Sequence, residues 1–316
     1  MTEKTATVLG ATGFVGVNLV TKLTEEGWHI RAITRHKSRH KDLMVLPNVT
    51  VIEADPHDPA QLTEHCQGSD AVINLVGILN QSGNTTHTFR AAHVSLVENV
   101  VQACLDASVP RYLHMSALHA NAEAGTSEYL RTKGEGERIA FDKSGDKVAV
   151  TAFRPSVIFG PGDGMFNRFA GLLKIMPVFP LACPDAKMAP VYIGDVCDAM
   201  VNALEDESTI GQSLDLVGPQ DYTLYELVEY TATVCGLKRM IIRLPDWAAR
   251  LQAQVMQRVP GKPFTMDNYG SLQTDSISAD PKAKQPTAIE AIVPGYLGDK
   301  NRNAQYQYFR RNARRD

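Results

Sequence analysis

The chain lacks any long apolar run. The longest, Ala71 to Leu79, includes Asn74 and falls far short of the ~20 residues a helix needs to span a bilayer, so no transmembrane segment is expected. Cysteine is scarce. Cys66, Cys104, Cys183, Cys197 and Cys235 form no C-x-x-C pair, and an odd count suits a reducing compartment better than a disulfide framework. No charge of one sign dominates: 32 Lys plus Arg stand against 35 Asp plus Glu, and a net charge of -3 gives no global basic field to hold nucleic acid. The 9 histidines all precede residue 120 without ligand spacing, so no metal site is expected. A few polar residues before the first apolar run at Ala6 leave no room for a cleavable signal, and the expected location is cytoplasmic.

What is present suits a folded chain. With 316 residues, 44% hydrophobic and 21% charged, it can bury one sizeable core or two modest ones. The first half alternates short β-branched runs with longer amphipathic stretches, the pattern of parallel strands joined by crossover helices. Strands are expected at residues 7–9, 30–34, 49–53, 71–76, 112–115 and 149–153, and helices at 15–26, 59–66, 88–107 and 128–143. The fold class is α/β, a doubly wound parallel sheet that binds nucleotide over residues 1–158. After Arg154 the texture turns to Pro and Gly punctuation, as in Gly160-Pro161-Gly162-Asp163-Gly164. A strand at 190–193, an Asp-capped helix at 195–204 and a strand at 214–217 are expected to return residues 188–217 to the sheet. Residues 159–187 and 218–316 remain as a smaller, mostly helical substrate or cap region.

Gly10-Ala11-Thr12-Gly13-Phe14-Val15-Gly16 follows a strand and opens a helix, the context in which a glycine motif carries meaning. Gly10 permits the tight turn, Gly13 lets backbone approach a pyrophosphate, and Gly16 lets the helix pack closely on its strand. The helix N-terminus then receives negative charge, with Thr12, Phe14 and Val15 completing the cradle. At the end of the second strand an acid would select NAD(H), whereas this sequence reads Ile33-Thr34-Arg35, followed by His36, Lys37, Arg39 and Lys41. Arg35 therefore points to NADP(H) over NAD(H), the alternative being a solvated basic loop. Asp55, past the third strand, is placed to accept from an adenine amino group, or to cap the turn at Pro56.

A second constellation lies downstream. Ser116 ends a strand, and Tyr129 and Lys133 stand one helical turn apart on a shared face. A phenol with pKa near ~10 is a poor proton carrier at neutral pH, and an adjacent ammonium favours its phenolate. Lys133 supplies that charge and can also hold the nicotinamide ribose, while Ser116 bonds the oxygen that Tyr129 protonates or deprotonates. Alone, the Tyr-x-x-x-Lys pair is also a common surface pattern of packed Tyr and solvated Lys. Gly134 and Gly136, in the same helix, each cost roughly 1 kcal/mol relative to Ala.

With Asn74-Leu75-Val76-Gly77 and Arg154-Pro155-Ser156-Val157 added, the first 200 or so residues resemble an extended or atypical short-chain dehydrogenase/reductase. The resemblance implies a Rossmann domain, bound NAD(P), and a catalytic Ser116, Tyr129 and Lys133. It implies that Val76 and Gly77 touch the adenosine and ribose side, and Pro155 and Val157 the nicotinamide side. Farther on, Gly218-Pro219-Gln220-Asp221-Tyr222-Thr223-Leu224 and residues 244–252 resemble the branch containing the NAD(P)H-binding alpha-subcomplex subunit nine of respiratory complex I and its bacterial relatives, some linked to ubiquinone biosynthesis. In the mitochondrial subunit the resemblance implies a structural nucleotide. Tyr129 and Lys133 are both kept here, which argues against a purely structural role.

Trp247, Leu251 and Val255 recur at helical spacing, and the expectation is a cap helix that buries this stripe, with a docking surface as the alternative. The tail carries Lys300, Arg302, Arg310, Arg311, Arg314 and Arg315 against Asp299 and Asp316, which fits a weak peripheral contact with anionic lipid on the inner face of a membrane. Two functions are therefore on the table. One is an NADP(H)-dependent oxidoreductase, epimerase or dehydratase acting on a small molecule. The other is a non-catalytic NADPH-binding accessory or assembly protein of a respiratory or quinone-synthesising complex.

Overall fold

In this computed structural model, residues 4–81 and 87–298 are described. Strands β1 (Thr5–Leu9), β2 (His29–Thr34), β3 (Val49–Glu53), β4 (Ala71–Asn74), β5 (Arg111–Met115) and β6 (Ala149–Pro155) alternate with helices α1 (Phe14–Glu25), α2 (Lys41–Met44), α3 (Pro59–Cys66), α4 (Leu96–Asp106) and α5 (Glu128–Ser144). The chain divides into two compact units, one of Met1–Pro155 with Val196–Asp215, the other of Ser156–Asp195 and the residues from Leu216 onward.

Local chemistry sets the ends of these helices. Asp58 accepts from the backbone N–H groups of Ala60 and Gln61 ahead of α3, where Pro59 needs no hydrogen bond. Ser127 accepts from the Leu130 N–H at 3.1 Å and starts α5. The expected helix at 88–107 is interrupted by a single π-type turn, Ala91–Ser95, before α4 begins.

The first unit carries a seven-stranded sheet whose order, starting from Ser213–Leu216, is β6, β5, β4, β1, β2, β3. All five pairings from β6 to β3 are parallel. β5 is buried along its whole length because both faces are covered, so its sequence shows no alternation. Leu96, Val100, Val101 and Cys104 of α4 pack with Val72, Tyr112 and Val150 in one apolar cluster. The strand order reverses between β1 and β4, the crevice in which open α/β sheets receive ligands.

The chain returns to this unit at Val196 and is pinned there by a buried arginine. The Arg111 guanidinium donates to the Ala203 carbonyl at 2.6 Å, to Thr151 at 2.7 Å and to Thr209 at 2.9 Å. The return to the sheet is narrower than residues 188–217. Val191–Tyr192 pairs instead with Ile158–Phe159 in the second unit, since the edge beside β6 is taken by Ser213–Leu216.

In the second unit Phe159, Phe166, Leu173, Leu227, Val228 and Val293 form the core, and the Tyr296 hydroxyl donates to Asp163 at 2.5 Å. Helix Asp246–Met256 overturns the expectation for its apolar stripe. Ala249 and Ala253 face inward with Ala182 and Tyr269, while Trp247, on the opposite side, is 70% exposed. Only methyl side chains allow the helix to sit this close, so the larger residues point outward. Among the described residues no helix is long and apolar enough to cross a membrane, and no group of side chains is arranged to hold a metal ion. The basic residues from Lys300 to Arg315 lie outside the described residues.

Candidate active site

The glycine turn joins β1 to α1. Gly10 adopts φ +78, a left-handed conformation in which a side chain is strained, and its carbonyl accepts from the Gly13 N–H at 3.0 Å. A Cβ on Gly16 would lie 2.2 Å from the Gly10 oxygen, so the helix rests directly on the turn. Gly13 caps α1 with extended backbone and no side-chain hydrogen bond, and no acid occupies the first turn. The early N–H groups of the helix, around Phe14 and Val15, therefore present uncompensated positive dipole. Thr12, Phe14 and Val15 are half-buried around this turn, and Gly13 is exposed.

β4 lines the other side of the crevice. Asn74 accepts from the Val76 N–H at 3.0 Å, turning the chain toward Gly77. Gly77 is exposed, and a Cβ there would stand 3.1 Å from the Lys133 ammonium nitrogen. Backbone just past β4 and a side chain from α5 thus approach closely.

Lys133 is buried. Its ammonium donates to the Met115 carbonyl at 2.9 Å and to the Val76 carbonyl at 3.4 Å, and burial pushes its pKa down to about 8, partly opposed by Glu137. Ser116 follows Met115 at the end of β5, its N–H bonded to the Phe153 carbonyl at 2.8 Å. Its Oγ is buried with no hydrogen-bond partner among the described residues. A buried hydroxyl normally finds a partner, so an orphan at this point marks a position suited to a ligand. Ser116 and Lys133 are brought together through Met115.

Tyr129 is half-buried on the same helix as Lys133, and its ring meets His93 and Phe89 edge-on at 5.5 and 6.1 Å between centroids. His93 belongs to none of the motifs in the sequence. It sits in the π-type turn, where its Nε2 accepts from the Ile78 N–H at 3.1 Å and its Nδ1 meets Thr132 Oγ1 at 3.0 Å. An Nε2 that accepts a backbone N–H carries no proton, so Nδ1–H donates to Thr132, whose own hydroxyl donates to the Glu128 carbonyl. Burial, reinforced by Lys133 and His114, pushes the His93 pKa down to about 2 and keeps the ring neutral. The available signal was its spacing from Phe89 and Val97, which puts all three on one buried helical face. Close contact between helices also accounts for Gly136: a Cβ there would meet the His93 carbonyl oxygen at 2.0 Å.

Glu137, one turn beyond Lys133, is buried and held by Arg154 through contacts of 2.5 to 3.0 Å, with the Ser213 hydroxyl donating at 2.6 Å. The Tyr112 hydroxyl accepts from Asn74 at 3.4 Å and bonds His114 Nδ1 at 3.0 Å, and His114 Nε2 is buried with no partner among the described residues.

The remaining sequence candidates are more dispersed. Arg35 is exposed at the end of β2 and lies 3.5 Å from His87 Nε2. Asp55 is exposed and accepts from the His57 N–H at 3.0 Å, the turn-capping alternative. The Pro155 carbonyl accepts from Leu118 at 3.0 Å in the first unit, whereas Val157 belongs to the second, where its carbonyl accepts from Val191 at 3.0 Å.

A family model described as the NAD dependent epimerase/dehydratase family matches residues 6–216. The chain belongs to this family. It is 33% identical over 298 residues to subunit 9 of the mouse mitochondrial NADH dehydrogenase (ubiquinone) 1 alpha subcomplex, covering 90% of this chain and 77% of that protein. It is 28% identical over 242 residues to a ceramide reductase of Caulobacter vibrioides, covering 76% and 73%. Among solved structures, the NADPH-dependent quinone oxidoreductase QOR2 of Escherichia coli, complexed with NADPH, superposes with a TM-score of 0.69 at 19% identity, covering 88% and 93%. The chain therefore has the NAD(P)-binding epimerase/dehydratase-family fold, and the shape shared with QOR2 is a likeness of fold.

Proposed function

We propose that the chain is an NADP(H)-dependent oxidoreductase, or an epimerase or dehydratase, acting on a small molecule with Ser116, Tyr129 and Lys133 as its proton-handling set. The observation that carries this reading is the buried Lys133 ammonium, bonded to the Met115 carbonyl beside the unpartnered Ser116 hydroxyl. The residues fit a dinucleotide. The exposed Gly13 would leave the backbone open to a pyrophosphate at the α1 N-terminus, with Gly16 letting the helix rest on the turn, and Arg35 would stand by a ribose 2'-phosphate. Asp55 would serve the adenine, and Val76 and Gly77 the adenosine and ribose. The bound nucleotide would give or accept the hydride.

This chain's own residues do the rest. Ser116 Oγ donates to the substrate oxygen and fixes its position. The Tyr129 hydroxyl passes a proton to that oxygen or takes one from it. The Lys133 ammonium, in surroundings of low dielectric, favours the phenolate over the phenol. His93 and Phe89 pack the Tyr129 ring, and a neutral His93 adds no competing charge beside Lys133. Replacing Tyr129 by Phe should lower turnover by orders of magnitude and leave nucleotide affinity nearly intact, whereas unchanged turnover would remove this assignment.

A second reading is supported by the 33% identity to the mouse respiratory subunit: an NADPH-binding accessory or assembly protein of a respiratory or quinone-synthesising complex. Nucleotide binding would then stabilise the fold by mass action. Recovery of the native protein only as a free species, at every salt concentration, would contradict it.

A further inference from the structure

The second unit carries a concentration of exposed apolar side chains that its own core does not use. Trp247, Leu251, Val255 and Val259 are 70, 53, 55 and 45% exposed and follow one another at four-residue steps along helix Asp246–Met256 and just past its end. Within the helix, four-residue steps place Trp247, Leu251 and Val255 in one stripe. The helix is anchored from the opposite side by Ala249 and Ala253, and by Gln252, which donates to the Pro180 carbonyl at 3.1 Å. That bond ties it to the strand Val178–Leu181, whose parallel partner Met240–Arg243 exposes Met240 and Ile242 as well.

The charge around this stripe is predominantly positive, although Arg243 pairs with Asp185 and Arg250 with Asp246, each at 2.9 Å. Between residues 238 and 262 stand Lys238, Arg239, Arg243, Arg250, Arg258 and Lys262 against Asp246 alone, in a chain whose net charge is -3. Arg250, Gln254 and Arg258 form the row beside the apolar stripe, and the Arg258 guanidinium folds back onto the Gln254 carbonyl at 2.8 Å. A helix with an exposed Trp and Leu stripe, flanked by arginines whose long stems can reach upward, has the chemistry of a segment lying in a lipid interface. An anionic surface complements this cationic rim, and burying the stripe removes apolar area from water.

We infer that helix Asp246–Met256 and the strand Met240–Arg243 form a docking face for an anionic phospholipid surface, with Trp247 and Leu251 as its apolar anchors. This assignment is independent of the nucleotide reading: its failure would leave Tyr129 and Lys133 untouched, and theirs would leave it standing.

The test is flotation of the purified full chain with vesicles of phosphatidylcholine alone and of phosphatidylcholine with phosphatidylglycerol, together with Trp247 fluorescence in a Trp28→Phe background. Binding is expected only to the anionic vesicles, weakening as salt rises, with a blue shift of the emission. Trp247→Ser with Leu251→Ser should reduce vesicle affinity by about tenfold or more. Because both side chains are exposed, the thermal midpoint should stay unchanged, and the tail beyond residue 298 is the same in both proteins. Equal binding by the double variant would place the contact elsewhere and overturn the inference. So would absence of binding to anionic vesicles, or a concentration-dependent dimer abolished by the double variant, which would assign the face to a second copy of the chain.

Discussion

The Lys133 ammonium donates to the Met115 carbonyl oxygen at 2.9 Å, and through that bond a charge buried on α5 is fixed at the last residue of β5, immediately before Ser116. A cation 3% exposed is costly to hold, and its pKa falls from 10.5 to about 8 because burial disfavours the charged form. Buried ionisable groups held at such a cost cluster at functional sites, which is the ground for giving Lys133 a role in the proposed reaction.

Tyr129→Phe removes only a hydroxyl from a ring already packed by Phe89 and His93. Turnover should fall by about 10²–10⁴-fold, the usual contribution of a positioned proton donor, with nucleotide affinity and thermal midpoint unchanged. Steady-state rates combined with a nucleotide titration separate the two effects.

Lys133 also leaves a mark on stability. The unfolded chain holds its proton up to about 10.5 and the folded chain only to about 8, so this group makes stability rise with pH across that window. Near neutrality both states are protonated and the fold carries a penalty of about 3 kcal/mol, at roughly 1.4 kcal/mol per pKa unit. Lys133→Met should be stabilised relative to the parent at pH 7, and the advantage should narrow between pH 8 and 10.5. Denaturant melts of both proteins across that range check it; a constant difference would show that the ammonium is not desolvated.

His93 behaves in the opposite range. Its folded pKa is pushed from 6.5 down to about 2, so below pH 6.5 the unfolded state takes up a proton that the folded ring refuses. Stability is lost as pH falls through that interval. His93→Gln, which can keep an acceptor for the Ile78 N–H, should flatten the loss between about pH 6 and 4. His114, depressed to about 3 by burial and by Lys133, adds a slope of the same sign.

The Glu137 carboxylate is buried and held by Arg154 and Ser213. Arg154→Met would leave that charge without its cation and should cost up to about 3 kcal/mol, the low end for a buried pair because the Arg154 side chain is 34% exposed. Arg154→Met with Glu137→Gln should recover part of the loss, read from urea midpoints.

The sheet was legible because its strands are rich in β-branched and apolar residues and its turn glycines fall where parallel crossovers need them, so β2, β3 and α3 lie close to their sequence-predicted positions. The glycine turn was legible because its demands are local: Gly10 takes a left-handed φ, and Gly16 is dictated by the backbone of Gly10 and Ala11 only a few residues away. What escaped depends on contacts distant in sequence. His93 meets Ile78 and Thr132 across gaps of 15 and 39 residues, and its one-sequence signal was only membership of an apolar face. Trp247 looked like core because periodicity reports that a stripe exists and not which side of the helix the fold occupies. Two small alanines on the other side decided that. The strand at Val191 was recognised, but its partner was not, since a two-residue strand carries no register information.

The most direct test is a calorimetric titration of the purified chain with NADPH, NADP+, NADH and NAD+, repeated with Arg35→Ala and Gly16→Ala. The account predicts that the 2'-phosphorylated pair binds more tightly, that Arg35→Ala erases this preference, and that Gly16→Ala, with its Cβ 2.2 Å from the Gly10 oxygen, loses binding of all four. Failure of all four to bind the parent chain, or tighter binding of NADH than of NADPH, would contradict it.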